Sequence, residues 1–153
     1  MSATTFTPRA VPALPLSYEG LVPHRHPMRL VDRLEVVEPR LYGRGLKLVS
    51  VNDTMLCTVG RQRFVPNPLV VDALGQVAIA VMAPGDGSTP EVWYLATIES
   101  VEFGAPAQPG DALTLEAKIL RVWRTTVRIG IHARIGERTV ARGVMVLATG
   151  ETN

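Results

Sequence analysis

The stretch Asn67-Pro68-Leu69-Val70-Val71-Asp72-Ala73-Leu74-Gly75-Gln76-Val77-Ala78-Ile79-Ala80-Val81-Met82 constrains this chain more than any other. It reads as one helix, with Asn67 as N-cap and Pro68 at the first helical position, where its missing N–H costs nothing. Pro84-Gly85 stops it. Apolar residues occupy nearly every face, so the helix is expected to be buried rather than laid on a surface. A carboxylate inside such a helix is an anomaly. Asp72 and Gln76 stand one turn apart on the same face. Burying an unpaired carboxylate is expensive, so Asp72 must have partners or open onto a pocket.

The rest of the chain has to enclose this helix, and its pattern is that of strands. Met28 to Val37 is strand-like and ends at Pro39; Gly45 to Val51 is a second strand, with Leu46, Leu48 and Val51 inward and Lys47 outward. Asn52 to Pro66 is irregular. After a Pro/Gly/Ser-rich loop over Ala83 to Glu91 come four long strands: Val92 to Phe103, Asp111 to Trp123, Thr125 to Ile135 and Arg138 to Ala148. In the third of these, Val127, Ile129, Ile131, Ala133 and Ile135 share a core face, and Arg128, Gly130, His132 and Arg134 share a wet one. The order implies an α+β fold in which an antiparallel sheet curls round a single helix. Residues 1–16, with Pro8, Pro12 and Pro15, form a flexible arm, and a single domain is expected over 17–150, opening with a short helical turn capped by Ser17.

Composition excludes several classes. A net charge of +2, with its sixteen basic residues spread along the chain, gives no footprint for nucleic acid. No apolar run is long enough for a membrane span, and no signal peptide is expected, because the first residues lack a basic region followed by a long apolar one. The lone Cys57 rules out an intrachain disulfide and fits a reducing, cytoplasmic setting. His24, His26 and His132 show no metal-ligand spacing with an acid, so neither metal nor other cofactor is expected.

Three motifs carry a resemblance. Pro23-His24-Arg25-His26-Pro27-Met28-Arg29-Leu30-Val31-Asp32-Arg33 resembles the opening P-H-R-x-P-x-x-L-V-D-R of the FabZ-type (3R)-hydroxyacyl-acyl-carrier-protein dehydratases. Val71-Asp72-Ala73-Leu74-Gly75-Gln76 is similar to their V-E-A-L-A-Q. Phe103-Gly104-Ala105-Pro106 and Pro109-Gly110-Asp111-Ala112-Leu113 match their F-x-x-P-x-x-P-G-D-x-L. The resemblance spans about Ser17 to Thr149 in the same order. It implies a hotdog fold, an antiparallel sheet wrapped around one long central helix and dimerised through the sheet. It also implies an acyl thioester on an acyl carrier protein, or on coenzyme A, as substrate, with dehydration to the 2-enoyl thioester in fatty-acid, polyene or polyketide synthesis. His24, Arg25, Asp32 and Arg33 match its structural motif.

One departure is serious. The family's catalytic histidine lies in a G-H-F-P-G turn before the helix. Counted back from Asp72 that position is Thr58, and counted forward from Asn52 it is Val59, because the segment is one residue shorter. No histidine stands between Asn52 and Asp72, and Val59-Gly60-Arg61-Gln62-Arg63-Phe64 replaces the turn. The helix glutamate is Asp72 here. Asn52-Asp53-Thr54-Met55-Leu56-Cys57 and Phe64-Val65-Pro66 resemble a divergent dehydratase-like branch of aryl-polyene pathways, which keeps the opening motif and a helix acid but lacks the turn.

Dehydration needs a base at carbon 2, an acid for the leaving hydroxyl and donors for the thioester oxygen. Asp72 is the expected acid, Gln76 its orienting partner, and Thr58 a neighbouring polar group. Phe64, Val65, Pro66 and Asn67, leading into the helix, are the expected substrate-binding positions. Arg25, Arg61 and Arg63 suit a basic rim that steers an acidic carrier protein. Two alternatives stand beside this. The chain is a catalytically depleted subunit that pairs with an active dehydratase, Asp72 being a hydrogen-bonded relic, or it is a thioesterase using Asp72. Cys57 is a further candidate nucleophile against the reading of a buried small residue. His26 and His132 are expected to be solvated, and the oligomer to be a homodimer or larger.

Overall fold

The computed structural model describes residues 21–84 and 91–150. The arm expected over residues 1–16, the turn opening at Ser17 and the centre of the loop after the helix lie outside the described residues. The chain runs β1 (Arg33–Glu38), β2 (Tyr42–Leu48), β3 (Cys57–Val59), β4 (Gln62–Phe64), α1 (Asn67–Met82), β5 (Trp93–Phe103), β6 (Ala112–Val122), β7 (Thr126–Ile135) and β8 (Arg138–Thr149). Six strands form one sheet in the order β1-β2-β6-β7-β8-β5, antiparallel throughout. The helix packs on its inner face, chiefly over β6 and β2. The expected arrangement of one helix within an antiparallel sheet is therefore present.

Alternation explains the core. Leu113, Leu115, Ala117 and Ile119 of β6, Val127, Ile129, Ile131 and Ala133 of β7, and Met145 and Leu147 of β8 are buried at every second position. They meet Val70, Leu74, Val77, Ala78 and Val81 of α1, which are equally inaccessible. Each such aliphatic side chain contributes roughly 1.5–3 kcal/mol on burial. The four long strands lie within one or two residues of their expected limits. Trp123 N–H donates to Thr126 O at 2.8 Å and closes the reversal between β6 and β7. Before β6, Gly110 adopts φ +99° and Asp111 Oδ2 accepts Gln108 N–H at 2.8 Å, which builds the Pro-Gly-Asp turn.

The first half of the chain departs from expectation. The first strand begins at Arg33, not Met28, because Met28 O and Leu30 N are bonded to a helix side chain instead of a neighbouring strand. The second strand has the opposite parity. Leu48 and Val51 are exposed, and the residues facing the helix are Gly43 and Gly45. A Cβ on Gly45 would stand 2.8 Å from Val31 and 2.9 Å from Val77, and one on Gly43 would collide with Val81. Glycine there lets the helix approach the sheet backbone. The segment expected to be irregular before the helix contains the β3–β4 hairpin, turned at Gly60 with φ +60°. The helix N-cap is Pro66, whose carbonyl receives Leu69 N at 3.0 Å; Asn67 lies inside the first turn and no side chain caps it.

The outer face of β7 is not simply wet. Buried Glu116 accepts Tyr42 Oη at 2.7 Å and Arg134 Nε at 3.3 Å, with His132 Nδ1 at 3.5 Å. His132 Nε2 also lies 3.0 Å from Thr139 Oγ1, so it is a network member and not the solvated residue expected. Burial pushes the Glu116 carboxyl up, but hydrogen bonds from His132 and Tyr42, with the charge and hydrogen bond of Arg134, outweigh it and hold the group below its ordinary value of 4.5. The Tyr42 hydroxyl is raised by burial first and then by Glu116.

Two outcomes follow from this packing. Gly43→Ala is expected to destabilise the fold by about 1–3 kcal/mol, read as a lower urea midpoint; an unchanged midpoint would show that the helix does not press on β2. Glu116, depressed in the folded state, contributes stability that is complete above the unfolded carboxylate value and is lost as pH falls through the folded one. Urea titrations over a series of acidic pH values should therefore show a shallower loss in Glu116→Gln than in wild type. Equal slopes would contradict the network.

Candidate functional site

The site begins with a side-chain amide. Gln76 is fully buried in the middle of α1. Its Oε1 accepts Leu30 N–H at 3.0 Å, and its Nε2 donates to Met28 O at 2.7 Å and to Asp72 Oδ2 at 3.0 Å. These three bonds define the amide orientation, because a flip would set oxygen against two acceptors. They also strap the segment before β1 across the helix. Arg25 secures the entry to that segment, its guanidinium donating to the carbonyls of Val22, Pro23 and His24 at 3.1–3.3 Å.

Asp72 is half-buried and faces a cavity of about 180 Å³. His24, Val71, Asp72, Gly75, Gln76 and Ile79 form one side of it. Strands β5 and β8 form the other, through Trp93, Tyr94, Leu95, Met145 and Leu147. The cavity thus joins an acid, an amide and an imidazole to an apolar wall suited to hydrocarbon. Asp72 Oδ2 is taken by Gln76, and Oδ1 has no protein partner among the described residues. His24 Nδ1 is shielded from solvent and has no hydrogen-bond partner among the described residues.

The expected site residues divide between two places. Asp72 and Gln76 are together as expected. Thr58 is exposed on β3 opposite Arg63, and Cys57 is exposed opposite Phe64. Phe64, Val65, Pro66 and Asn67 run into the helix and away from the Asp72 cavity. Val65 instead lines a second cavity of about 200 Å³ with His26, Arg29, Asp32, Lys47, Asp53 and Leu69. Its carboxylates are structural: Asp32 Oδ2 accepts Leu48 N–H at 2.6 Å, and Asp53 accepts Lys47 Nζ at 3.1 Å. Arg33 is exposed at the start of β1, and His26 is exposed as expected. Of the basic rim, Arg63 is tied to Val51 O at 2.6 Å, while Arg25 and Arg61 are exposed. The opening motif gives His24 a structural place beside the first strand, and no spacing rule could have brought it to Asp72.

An antiparallel sheet packed on one helix among the described residues, and a pocket between that helix and an edge strand, define a hotdog protein. Residues 77–142 match the thioesterase superfamily. The 3-hydroxyacyl-[acyl-carrier-protein] dehydratase FabZ of Natranaerobius thermophilus is 30% identical over 132 residues, covering 86% of this chain and 93% of its own. The chain belongs to this dehydratase family. Among solved structures, the dehydratase heterocomplex ApeI:P from Xenorhabdus doucetiae is similar in fold, with a TM-score of 0.73 at 15% identity over 91% of this chain and 94% of that one. A hypothetical thioesterase with coenzyme A from Streptococcus pneumoniae shares the fold at a TM-score of 0.59 and 14% identity, over 79% of this chain and 88% of its own.

Replacing Gln76 by Ala would leave the buried Leu30 N–H unpaired and remove the partner of the part-buried Met28 O. A loss of about 1–3 kcal/mol for each unpaired group is expected, with faster amide exchange at Leu30. An exchange rate at Leu30 equal to wild type would show that the strap is not held by this amide.

Proposed function

We propose that this chain acts on (3R)-3-hydroxyacyl thioesters of an acyl carrier protein and dehydrates them to 2-enoyl thioesters, with Asp72 as the proton donor. The observation that carries this is the Asp72–Gln76 pair opening on an apolar cavity beside β5. Elimination breaks the C2–H and C3–O bonds, forms C2=C3 and releases water. A carboxylic acid held by Gln76 through one oxygen keeps the other for the leaving hydroxyl. The apolar side chains of the cavity suit the acyl carbons. The named activity of the FabZ relatives supports the substrate class.

The working unit in this reading is a homodimer joined along β5. That strand is a sheet edge and carries exposed Tyr94, Leu95, Ile98 and Phe103, which a long unpaired edge does not normally leave to solvent. Pairing there sets an acyl tunnel between two subunits. It also offers a way for Thr58 and Phe64 to Asn67 of one subunit to reach Asp72 of the other. A cytoplasmic setting suits such a substrate.

A second reading is favoured by one feature, the absence of histidine between Asn52 and Asp72. In it the chain is the depleted partner of another dehydratase, in a mixed assembly like the dehydratase heterocomplex that ApeI:P forms. Purified protein incubated with a (3R)-3-hydroxyacyl carrier-protein thioester is expected to form the enoyl product, and Asp72→Asn to lower kcat by about 10²–10⁴-fold. Product only after a second dehydratase is added would favour the partner reading. Free thiol from a saturated acyl thioester would instead support a thioesterase.

A further inference from the structure

We propose that Gly75 selects the acyl group of the substrate, opening the cavity beyond Asp72 to a tail that carries a methyl branch a few carbons past carbon 3. The proposal rests on the dehydratase reading above for the reaction, and it specifies the substrate of that same site.

Gly75 lies in the middle of α1, is buried and lines the cavity of about 180 Å³. A glycine in such a place weakens a helix relative to alanine, because its backbone has more freedom to lose. Gly43 and Gly45 have a packing reason to be glycine, since a Cβ on either would strike the valines of α1. Gly75 shows no such reason among the described residues. Beyond its own helix backbone and chain neighbours, a Cβ there would come within 4 Å of Met145 Cε alone, at 3.9 Å, an ordinary contact. Its backbone is right-handed helix, which alanine adopts equally well. Met145 lines the same cavity, so the space left by the missing methyl belongs to the cavity.

The helix fixes where along the substrate that space falls. Asp72, Gly75, Gln76 and Ile79 recur at i, i+3, i+4 and i+7 and form one stripe. Asp72 is the N-terminal member. Toward the other end the lining is apolar, with Ile79 on the helix and Trp93 and Met145 across from it. The polar atoms of Gln76 are turned to Leu30, Met28 and Asp72, so an apolar tail passes no unpaired amide. A substrate whose C3 hydroxyl meets Asp72 therefore lays its acyl tail past Gly75 toward Ile79. Gly75 is about 4.5 Å farther along the helix axis than Asp72, a few carbon–carbon bonds beyond carbon 3. A straight tail leaves the space at Gly75 empty and forfeits dispersion contacts with its walls. A methyl branch fills it.

The test uses the full chain and two isomeric carrier-protein thioesters, (3R)-3-hydroxy-6-methylheptanoyl and (3R)-3-hydroxyoctanoyl. Wild-type kcat/KM is expected to favour the branched isomer by about 10-fold or more, the discrimination that one well-placed carbon gives in an apolar pocket. In Gly75→Ala that ratio is expected to fall to one or below. The variant should also show a higher urea midpoint than wild type, since its methyl has room and alanine favours the helix. A lower midpoint, or loss of the wild-type oligomer in sedimentation, would show that the glycine answers a packing need and overturns the proposal. Calorimetry with the non-reactive pantetheine thioethers of the same two acyl groups measures the preference without turnover. A wild type that dehydrates both isomers equally, or prefers the straight one, overturns the selection by Gly75 and leaves the dehydratase reading standing. A wild type that dehydrates neither, yet binds the branched thioether more tightly in a manner lost in Gly75→Ala, overturns the dehydratase reading and upholds the selection. Neither turnover nor binding overturns both.

Discussion

Everything at the candidate site depends on the buried amide of Gln76. A glutamine in the middle of an apolar helix is costly to bury unless all of its polar atoms are used. Here its oxygen takes Leu30 N–H, and its nitrogen serves Met28 O and Asp72. One side chain thereby satisfies the backbone of an irregular segment, orients a carboxylate and keeps the opening motif on the helix. Met28 to Leu30 are irregular because their backbone groups bond to this side chain, and pairing with β2 begins only at Asp32, whose N–H donates to Leu46 O at 2.8 Å.

The sheet contributes a second constraint. Glycines at 43 and 45 remove side chains where α1 crosses β2, so Val77 and Val81 press on the backbone itself. That close approach sets the helix into the concave face and leaves its other side to β5, β8 and the cavity. The outer face is organised differently, through the Tyr42–Glu116–His132–Arg134 cluster. Its low-dielectric setting strengthens each bond, as it would penalise any partner left unpaired. The apolar inner face and this polar outer face make β6 and β7 a two-sided wall, while the candidate cavity is lined from β5 and β8 instead.

Within its dehydratase family the chain keeps the fold, the opening motif and a helix acid. The catalytic turn before the helix is replaced by the β3–β4 hairpin, whose Thr58 is exposed and separate from Asp72 in one chain. Proton chemistry at a thioester needs groups at both carbons, so the loss bears on mechanism more than on binding. The cavity supplies an acid, an amide and an imidazole from the helix and the opening segment.

By itself the sequence determined what short-range periodicity can encode. The α+β order, the buried helix and the four long strands followed from alternation and from a continuous apolar run, because those patterns repeat within a few residues. The Asp72–Gln76 pairing was legible for the same reason, being one helical turn. Tertiary structure decided the rest. The parity of β2 depended on which face the helix would touch, and two glycines carry no hydrophobic signal. The β3–β4 hairpin is too short to show alternation. His132 lost its solvent because Glu116 and Thr139 arrive from neighbouring strands. His24 reached the Asp72 cavity because a glutamine distant in sequence binds the segment that follows it. Such contacts are made by side chains far apart along the chain, and no local spacing records them.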